Sequence, residues 1–276
     1  MVQNKNRIEA ASKKVKGAEK ASFGGPDLLY RTLRGVAKLY KYSMIRLGFS
    51  ILVMAFVLLA GINSALAADK YRNFEELQAS EDPSNYSIFT RDLDTPVLIF
   101  APHGGGIEGG TSELARELSN SYSTYLFEAL KIPGASDLHI TSTNFDEPQA
   151  LDMLSRHDLT ISLHGYASSE KHTLVGGTDR EKAEKLTQTL NAAGFSAELL
   201  PVGAPLSGTS PNNVSNKNRT GLSIQLEIST GQRRAMFDTF SLKGRDGSQN
   251  DQFYKFTNLL SEFIDENVSG KAGACE

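Results

Sequence analysis

Two histidines and one glutamate stand where they could hold a metal ion together. His103 follows the apolar run of residues 96–101, and Glu108 comes five positions later, beyond three consecutive glycines. His164 follows a second apolar run, residues 159–163. Two imidazoles and one carboxylate are the protein ligands of many catalytic zinc ions, which keep a fourth position open for water. The sequence therefore offers His103, Glu108 and His164 as candidate ligands of one zinc ion.

The His-Gly-Gly-Gly segment has a second possible use, because such segments can form the oxyanion hole of α/β-hydrolases. That alternative requires a Gly-x-Ser-x-Gly elbow that carries the nucleophile, and the sequence contains none. A thiolate cluster is also excluded, since Cys275 is the single cysteine of the chain. A metal site in this protein must use histidine and carboxylate ligands.

Glu227 is the candidate general base. It lies in the segment Leu-Ser-Ile-Gln-Leu-Glu-Ile, residues 222–228, which alternates like a strand. Carboxylates activate the water in many zinc hydrolases. The same alternation of Ser223, Gln225 and Glu227 fits a strand face turned to solvent, and the pattern alone does not separate the two interpretations.

Arginines and a polar residue flank this predicted strand. Asn218 and Arg219 precede it, and Arg233 follows it in the segment Gly-Gln-Arg-Arg. Arginine can pair with a carboxylate through two parallel hydrogen bonds, so these residues are candidates for binding an anionic substrate. The alternative for each cluster is a solvated turn.

Three further histidines have a less defined place. His157 and His172 are expected in structural or solvated positions. His139 has the same expectation, but it is the one that could orient a metal ligand from the second coordination shell.

Apolar runs alternate with helical spacings, which predicts an α/β fold with a mostly parallel or mixed sheet flanked by helices. Sites in such sheets form at the carboxyl ends of strands, where the candidate ligands fall. Strands are predicted over residues 96–101, 137–143, 159–163, 172–176, 197–200 and 222–228, and helices over residues 111–130, 150–156, 179–193 and 250–266.

The N-terminal part of the sequence has the pattern of an export signal. Residues 44–67 read as a signal peptide, with one arginine, an apolar run and small residues before a cleavage site after Ala67. The mature protein would then be secreted or periplasmic. The alternative is an uncleaved membrane anchor with the basic residues 1–43 in the cytoplasm and the catalytic domain outside it. Translation that begins at Met44 would omit residues 1–43 altogether.

The remaining sequence is divided into a lead-in of residues 68–93, a hydrolase domain of residues 94–268 and a short tail of residues 269–276. Residues 68–276 contain 18 Lys and Arg against 29 Asp and Glu. Such an acidic balance argues against a nucleic-acid partner. An anionic substrate would need a local basic patch.

Four sequence blocks resemble the poly-γ-glutamate hydrolases of phages and bacteria, which are related in structure to the zinc carboxypeptidases. The blocks are APHGGGIEGGTSELA, HITSTNFDEP, ISLHGY and NKNRTGLSIQLEIS, within residues 101–229. The resemblance implies a single open sandwich that is zinc-carboxypeptidase-like, with one Zn²⁺ on the three candidate ligands and Glu227 as the base. It also implies that Asn218 and Arg219 grip a substrate carboxylate.

The resemblance further implies a zinc-dependent hydrolase that cleaves the γ-glutamyl amide bonds of anionic poly-γ-glutamate. The spacing His-x4-Glu departs from the His-x2-Glu of carboxypeptidases and is shared with the poly-γ-glutamate hydrolases. Two alternatives stay open. One is a γ-glutamyl or peptide amidase, or a carboxypeptidase-like enzyme, that acts on cell-wall peptides, and the other is a non-catalytic binding domain that has kept the fold.

Overall fold

A computed structural model describes residues 69–268 of the chain. Its strands are β1 (Tyr86–Arg91), β2 (Val97–Gly105), β3 (Ser123–Ala129), β4 (Leu159–Tyr166), β5 (Thr173–Gly176), β6 (Ala197–Leu199) and β7 (Leu222–Ser229). Its α-helices are α1 (Phe74–Ser80), α2 (Thr111–Leu118), α3 (Pro148–Arg156), α4 (Arg180–Ala192), α5 (Thr230–Arg234) and α6 (Asp251–Asn267). Short 3-10 helices occupy Pro83–Asn85, Ala135–Leu138 and Val214–Asn216.

The seven strands form one mixed sheet in the order β1-β3-β2-β4-β7-β5-β6. The four central strands β3, β2, β4 and β7 run parallel. Strand β1 pairs antiparallel with β3, and β5 pairs antiparallel with β7. The predicted α/β class and mixed sheet are confirmed. Because the central strands are parallel, their carboxyl ends meet at one edge of the sheet.

The central strands are covered on both faces. In β2, Val97 and Ile99 pack into a cluster with side chains of α2, α4 and α6, whereas Leu98 and Phe100 pack into a second cluster with α1 and α3. A parallel strand that is buried on both faces appears in the sequence as a continuous apolar run. This explains the run at residues 96–101.

One face of β4 and β7 is polar and nevertheless buried. Thr160 and Gln225 project on this face, and the segment that leads into β7 covers them. Asn218 Nδ2 donates to Thr160 Oγ1 at 2.8 Å, and Asn213 Nδ2 donates to Gln225 Oε1 at 3.0 Å. The polar alternation of β7 therefore marks a hydrogen-bonded interior and not a solvent-exposed face.

Two predicted elements are wrong. The predicted helix of residues 111–130 ends as α2 at Leu118, and the remainder forms β3. β3 is buried along its whole length, so its apolar residues carry no alternation that would distinguish strand from helix. The predicted strand of residues 137–143 is a 3-10 helix followed by irregular chain.

Residues 69–93 form part of the same fold. Phe74 and Leu77 of α1 are buried in the second cluster, and β1 extends the sheet at its edge. The backbone N–H of Phe74 donates to Asp146 Oδ1 at 2.7 Å. The predicted domain start at residue 94 therefore does not coincide with an edge of the fold.

The predicted basic extension, the signal peptide or anchor, the C-terminal tail and Cys275 lie outside the described residues. Export and localisation accordingly stay predictions. Within residues 69–268, no helix has the length and apolar character needed to span a membrane.

Glu81 fixes the N-terminal segment to the loop after β3. Its carboxylate accepts hydrogen bonds from Tyr71, Asn85, Lys70 and Lys131. The hydrogen bonds from Tyr71 and Lys131 outweigh burial and lower the pKa of Glu81 to about 2. The ionised carboxylate therefore stabilises the folded state above its unfolded pKa near 4.5, and this stabilisation is lost as the pH falls towards 2.

We expect Glu81→Gln to lower the melting temperature by about 3 to 6 °C at pH 7, because charge-assisted hydrogen bonds are lost. The difference from the wild type should shrink as the pH falls from 4.5 towards 2. Thermal unfolding followed by circular dichroism across this pH range measures both effects. Glu184→Gln, on the exposed side of α4, is the control and should change little. A pH-independent difference would contradict this assignment.

Candidate metal centre

Two neighbouring parallel strands bring the candidate ligands together. His103 lies near the carboxyl end of β2, and His164 lies near the carboxyl end of the adjacent β4. Glu108 reaches the same point from the glycine-rich loop between β2 and α2. Both imidazoles are 2% exposed, which removes them from bulk water. The structure thus groups all three residues that the sequence selects.

The ligand atoms converge at spacings that suit a small cation. His103 Nδ1 lies 3.1 Å from Glu108 Oε1 and 3.1 Å from His164 Nδ1, and His164 Nδ1 lies 3.5 Å from Glu108 Oε2. Ligands about 2.0 to 2.1 Å from a tetrahedral zinc ion stand roughly 3.4 Å from one another. The observed spacings are close to this value.

The hydrogen bond at the other ring nitrogen of His103 supports the same conclusion. His103 Nε2 lies 2.8 Å from the carbonyl oxygen of Ile140, and a carbonyl can only accept, so Nε2 carries the proton. In the neutral ring, Nδ1 then presents a lone pair to the carboxylate of Glu108 and to His164. Electron-pair donors that face one another in a buried space require a shared proton or a cation. The three residues therefore fit a divalent metal ion.

The glycines that follow His103 allow the chain to pass close to β3 and to bring Glu108 to the two histidines. Gly105 has φ +66°, and a Cβ there would lie 2.3 Å from the carbonyl oxygen of Ala129. Beyond the loop, the backbone N–H of Gly165 donates to Glu108 Oε2 at 2.9 Å and fixes the carboxylate. Glycine is required at residue 105 for both its conformation and its contact.

The electrostatics of the cluster favour an anionic Glu108 beside the two rings. Burial opposes ionisation of Glu108, but His103 and His164 outweigh it and lower its pKa. Burial lowers the pKa of His103. For His164, burial acts in the same direction, but the hydrogen bond to Glu108 and the charge of Glu227 outweigh it and raise the pKa.

Glu227 lies beside the candidate metal centre, on the strand next to the one that carries His164. It is the pairing partner of His164 across β4 and β7, and adjacent strands stand about 5 Å apart. Its side chain is buried, and Oε1 accepts a hydrogen bond from Gln225 Nε2 at 2.8 Å. The alternative of a solvent-facing Glu227 is wrong.

Arg233 lies against Gly109 and Gly165, the neighbours in sequence of two of the ligands. Its Nε donates to the carbonyl of Ile228 at 2.9 Å, and its Nη1 donates to the carbonyl of Gly109 at 2.7 Å. The guanidinium covers Gly165, where a Cβ would lie 2.5 Å from Arg233 Cζ. Within residues 69–268 no carboxylate lies within ion-pair distance of it. Burial lowers its pKa, although the charges of Glu108 and Glu227 oppose this.

Asn218 and Arg219 do not reach this centre. Arg219 forms two hydrogen bonds of 2.6 Å with Asp158, which precedes β4, and Asn218 is held by Thr160 and the carbonyl of Leu222. These residues lie at the amino ends of β4 and β7, whereas the ligands lie at the carboxyl ends. The structure therefore does not bring Asn218 and Arg219 together with the three candidate ligands, and a contact of theirs with substrate stays a prediction.

The remaining histidines divide into two groups. His157 Nδ1 donates to the carbonyl of Met153 at the end of α3, and His172 contacts Ser196, so both are structural. His139 instead lies against His103, with 4.2 Å between ring centroids. The part played by Ile140 has no signal in the sequence, because it contributes a backbone carbonyl, which every residue type has.

Comparisons with known proteins identify the family of this chain. The sequence profile of the family described as poly-gamma-glutamate hydrolase matches residues 71–259. The chain belongs to this family. YoqZ, an SPbeta prophage-derived protein of Bacillus subtilis, is 67% identical over 273 residues, 99% of each chain. YndL of Bacillus subtilis is 55% identical over 213 residues, 77% of this chain and 84% of YndL.

Two solved structures of similar proteins share the fold. A zinc-free apo structure of YndL has a TM-score of 0.72 and 55% identity, over 73% of this chain and 100% of that one. A bacteriophage poly-gamma-glutamate hydrolase has a TM-score of 0.69 and 38% identity, over 72% of this chain and 98% of that one. The resemblance inferred from the four sequence blocks is confirmed.

We expect the purified protein to bind one zinc ion, and His164→Ala to lose it, because two remaining ligands hold zinc poorly. Zinc content after dialysis, measured by mass spectrometry, tests this. His172→Ala, which removes a histidine outside the centre, should keep the full zinc content. Equal zinc content in His164→Ala and the wild type would contradict the assigned ligand set.

Proposed function

We propose that this protein is a zinc-dependent hydrolase that cleaves the γ-glutamyl amide bonds of poly-γ-glutamate. The observation that carries the proposal is the convergence of His103, Glu108 and His164 with a buried carboxylate, Glu227, in register beside them. Membership of the poly-gamma-glutamate hydrolase family supports the substrate class.

His103, Glu108 and His164 would hold the metal through two nitrogens and one carboxylate. A zinc ion bound there supplies Lewis-acid chemistry, since it polarises an amide carbonyl and acidifies water. The role of the protein is to keep the three ligands fixed and largely dry. Their burial and the hydrogen bonds from Gly165 and to Ile140 provide this.

Glu227 would move the proton. Burial raises the pKa of its carboxyl to about 7; the positive charge of His164 opposes this shift and the charge of Glu108 adds to it. A carboxyl group with a pKa near the working pH can accept a proton from water and return it to the amine that leaves. Gln225 occupies Oε1 and thereby fixes the orientation of the group.

Arg233 would supply the positive charge that an anionic substrate needs. Several arginines among residues 69–268 are paired with carboxylates, as Arg219 is with Asp158 and Arg245 with Glu113. Arg233 is held only by carbonyl oxygens and the hydroxyl of Thr230, so its charge remains uncompensated by a direct partner among residues 69–268. We propose that it faces the carbonyl oxygen or a carboxylate of the polymer.

The first test is to incubate the purified protein with poly-γ-glutamate and follow polymer length on a gel, with and without a chelator. Shortening that the chelator abolishes and added zinc restores supports the proposal. Stoichiometric zinc with intact polymer would overturn the proposed substrate and direct the assay to γ-glutamyl peptides of the cell wall. Shortening that persists in the chelator would overturn the zinc dependence.

Glu227→Gln tests the proposed base. We expect it to keep its zinc and to lose about 10²- to 10⁴-fold in kcat, the range that general acid–base catalysis contributes. Zinc content and the rate of polymer shortening are measured on the same sample. Glu198→Gln, an exposed glutamate of β6, is the matched control and should retain its rate. Near-normal turnover in Glu227→Gln would rule out its role as base.

Arg233→Gln tests the proposed contact with the substrate. We expect a fall of about 10- to 100-fold in kcat/KM, because a charge-assisted contact is worth roughly 1.5 to 3 kcal/mol. Arg219→Gln, at the opposite edge of the sheet, should leave kcat/KM within a factor of about two. If Arg219→Gln impaired turnover and Arg233→Gln did not, the assignment of the substrate-facing cation would be reversed.

A further inference from the structure

Asp69, the first described residue of the chain, holds a segment that adjoins the candidate metal centre. Its Oδ1 accepts a hydrogen bond from His139 Nδ1 at 2.7 Å, and its Oδ2 accepts one from the backbone N–H of Thr141 at 2.6 Å. The side chain is 12% exposed. One carboxylate therefore fixes the residues on both sides of Ile140.

The segment of residues 139–141, which Asp69 holds, makes two contacts with His103. The carbonyl of Ile140 accepts the hydrogen bond from His103 Nε2 at 2.8 Å. The ring of His139 lies on the ring of His103 at 4.2 Å, with 39° between the planes. His103 Nδ1 is thereby directed at Glu108 and His164.

The rest of the N-terminal segment determines where Asp69 can lie. Helix α1 is docked through buried Phe74 and Leu77, and Asp146 accepts the hydrogen bond from the N–H of Phe74. Glu81 adds a second anchor to Lys131. Asp69 lies five residues before α1, so the docked helix keeps its carboxylate within reach of residues 139–141.

We propose that Asp69 is a positioning residue for the metal ligand His103, which it orients through Ile140 and His139. The inference rests on the proposed metal site and is independent of the proposed substrate. Groups that orient a ligating histidine typically contribute 10- to 100-fold to metal affinity. Asp69 touches neither the ligand atoms nor the space between them, so its effect must pass through the segment it holds.

The test uses Asp69→Asn in the full chain. Asparagine has the same size but no charge, and its amide nitrogen can only donate, so the two hydrogen bonds that Asp69 accepts cannot both persist unchanged. We expect a 10- to 100-fold rise in the zinc dissociation constant, measured by competition with a chromophoric chelator. We also expect an altered visible absorption spectrum of the cobalt(II)-substituted protein, because the geometry of the His103 ligand changes.

Asp82→Asn is the matched control. Asp82 is an exposed carboxylate in the same segment, and it accepts its hydrogen bonds from Ser84 only. It should keep the wild-type zinc affinity and cobalt spectrum. A comparable loss in Asp82→Asn would show a general weakening of the segment and would overturn the specific role of Asp69.

His139→Phe keeps a ring against His103 while it removes one hydrogen bond to Asp69. We expect a smaller loss of zinc affinity, and a loss in the double variant that is less than the product of the two, because both act through one contact. His139→Phe also decides the matter if Asp69→Asn proves unfolded by circular dichroism. Wild-type zinc affinity and cobalt spectra in both variants would overturn the proposal.

The zinc measurements separate this inference from the proposed function. If the wild type binds zinc and leaves the polymer intact while Asp69→Asn binds zinc weakly, the substrate proposal fails and the positioning role stands. If the wild type cleaves the polymer and Asp69→Asn retains full zinc affinity, the positioning role fails alone. A wild type that binds no zinc overturns both.

Discussion

Parallel pairing in a fixed register is the constraint on which the metal centre depends. His103 and His164 meet because β2 and β4 are adjacent and parallel, and Glu227 joins them because β7 pairs with β4 residue for residue. A slip of one residue would turn side chains to the opposite face, and a slip of two would move them by about 6 to 7 Å. Apolar packing on one face of β4 and β7 and the buried hydrogen bonds on their other face hold this register, so the interior and the centre are specified together.

Backbone groups near the strand ends form hydrogen bonds with the polar side chains that are buried at the centre. The carbonyls of Ile140, Ile228 and Gly109 and the N–H of Gly165 all bind side chains of the centre. The ring nitrogens and carboxylate oxygens that face the space between the three ligands contact one another. Such an arrangement is unfavourable without a cation or a shared proton. Metal binding by these three residues would consequently be linked to the stability of the fold.

Much of the site could be predicted from the sequence, because its side chains follow apolar strands in a fold whose strand ends form sites. His103, His164 and Glu227 each carry that signal. Asn218 and Arg219 lie apart from the ligands because residues before a parallel strand lie at its amino end, on the opposite edge. Strand β3 was missed since burial on both faces removes the alternation. The contacts of Asp69 span about 70 residues in sequence, and no local pattern encodes a pairing of that range.

Helix α1 packs on the domain and Asp69 contacts residues 139 and 141, so the segment from residue 69 and the sheet form one structural unit. Evolution can exchange this unit between proteins only as a whole. The first core strand begins at Val97, and a boundary drawn there would look natural on the sheet alone. Yet the edge strand, the helix beneath the second cluster and the carboxylate beside His139 all come earlier in the chain. Recombination that exchanges the N-terminal sequence of such a protein preserves all of these elements only when its junction falls upstream of residue 69. The segment that begins at residue 69 is thus inherited together with the rest of the domain.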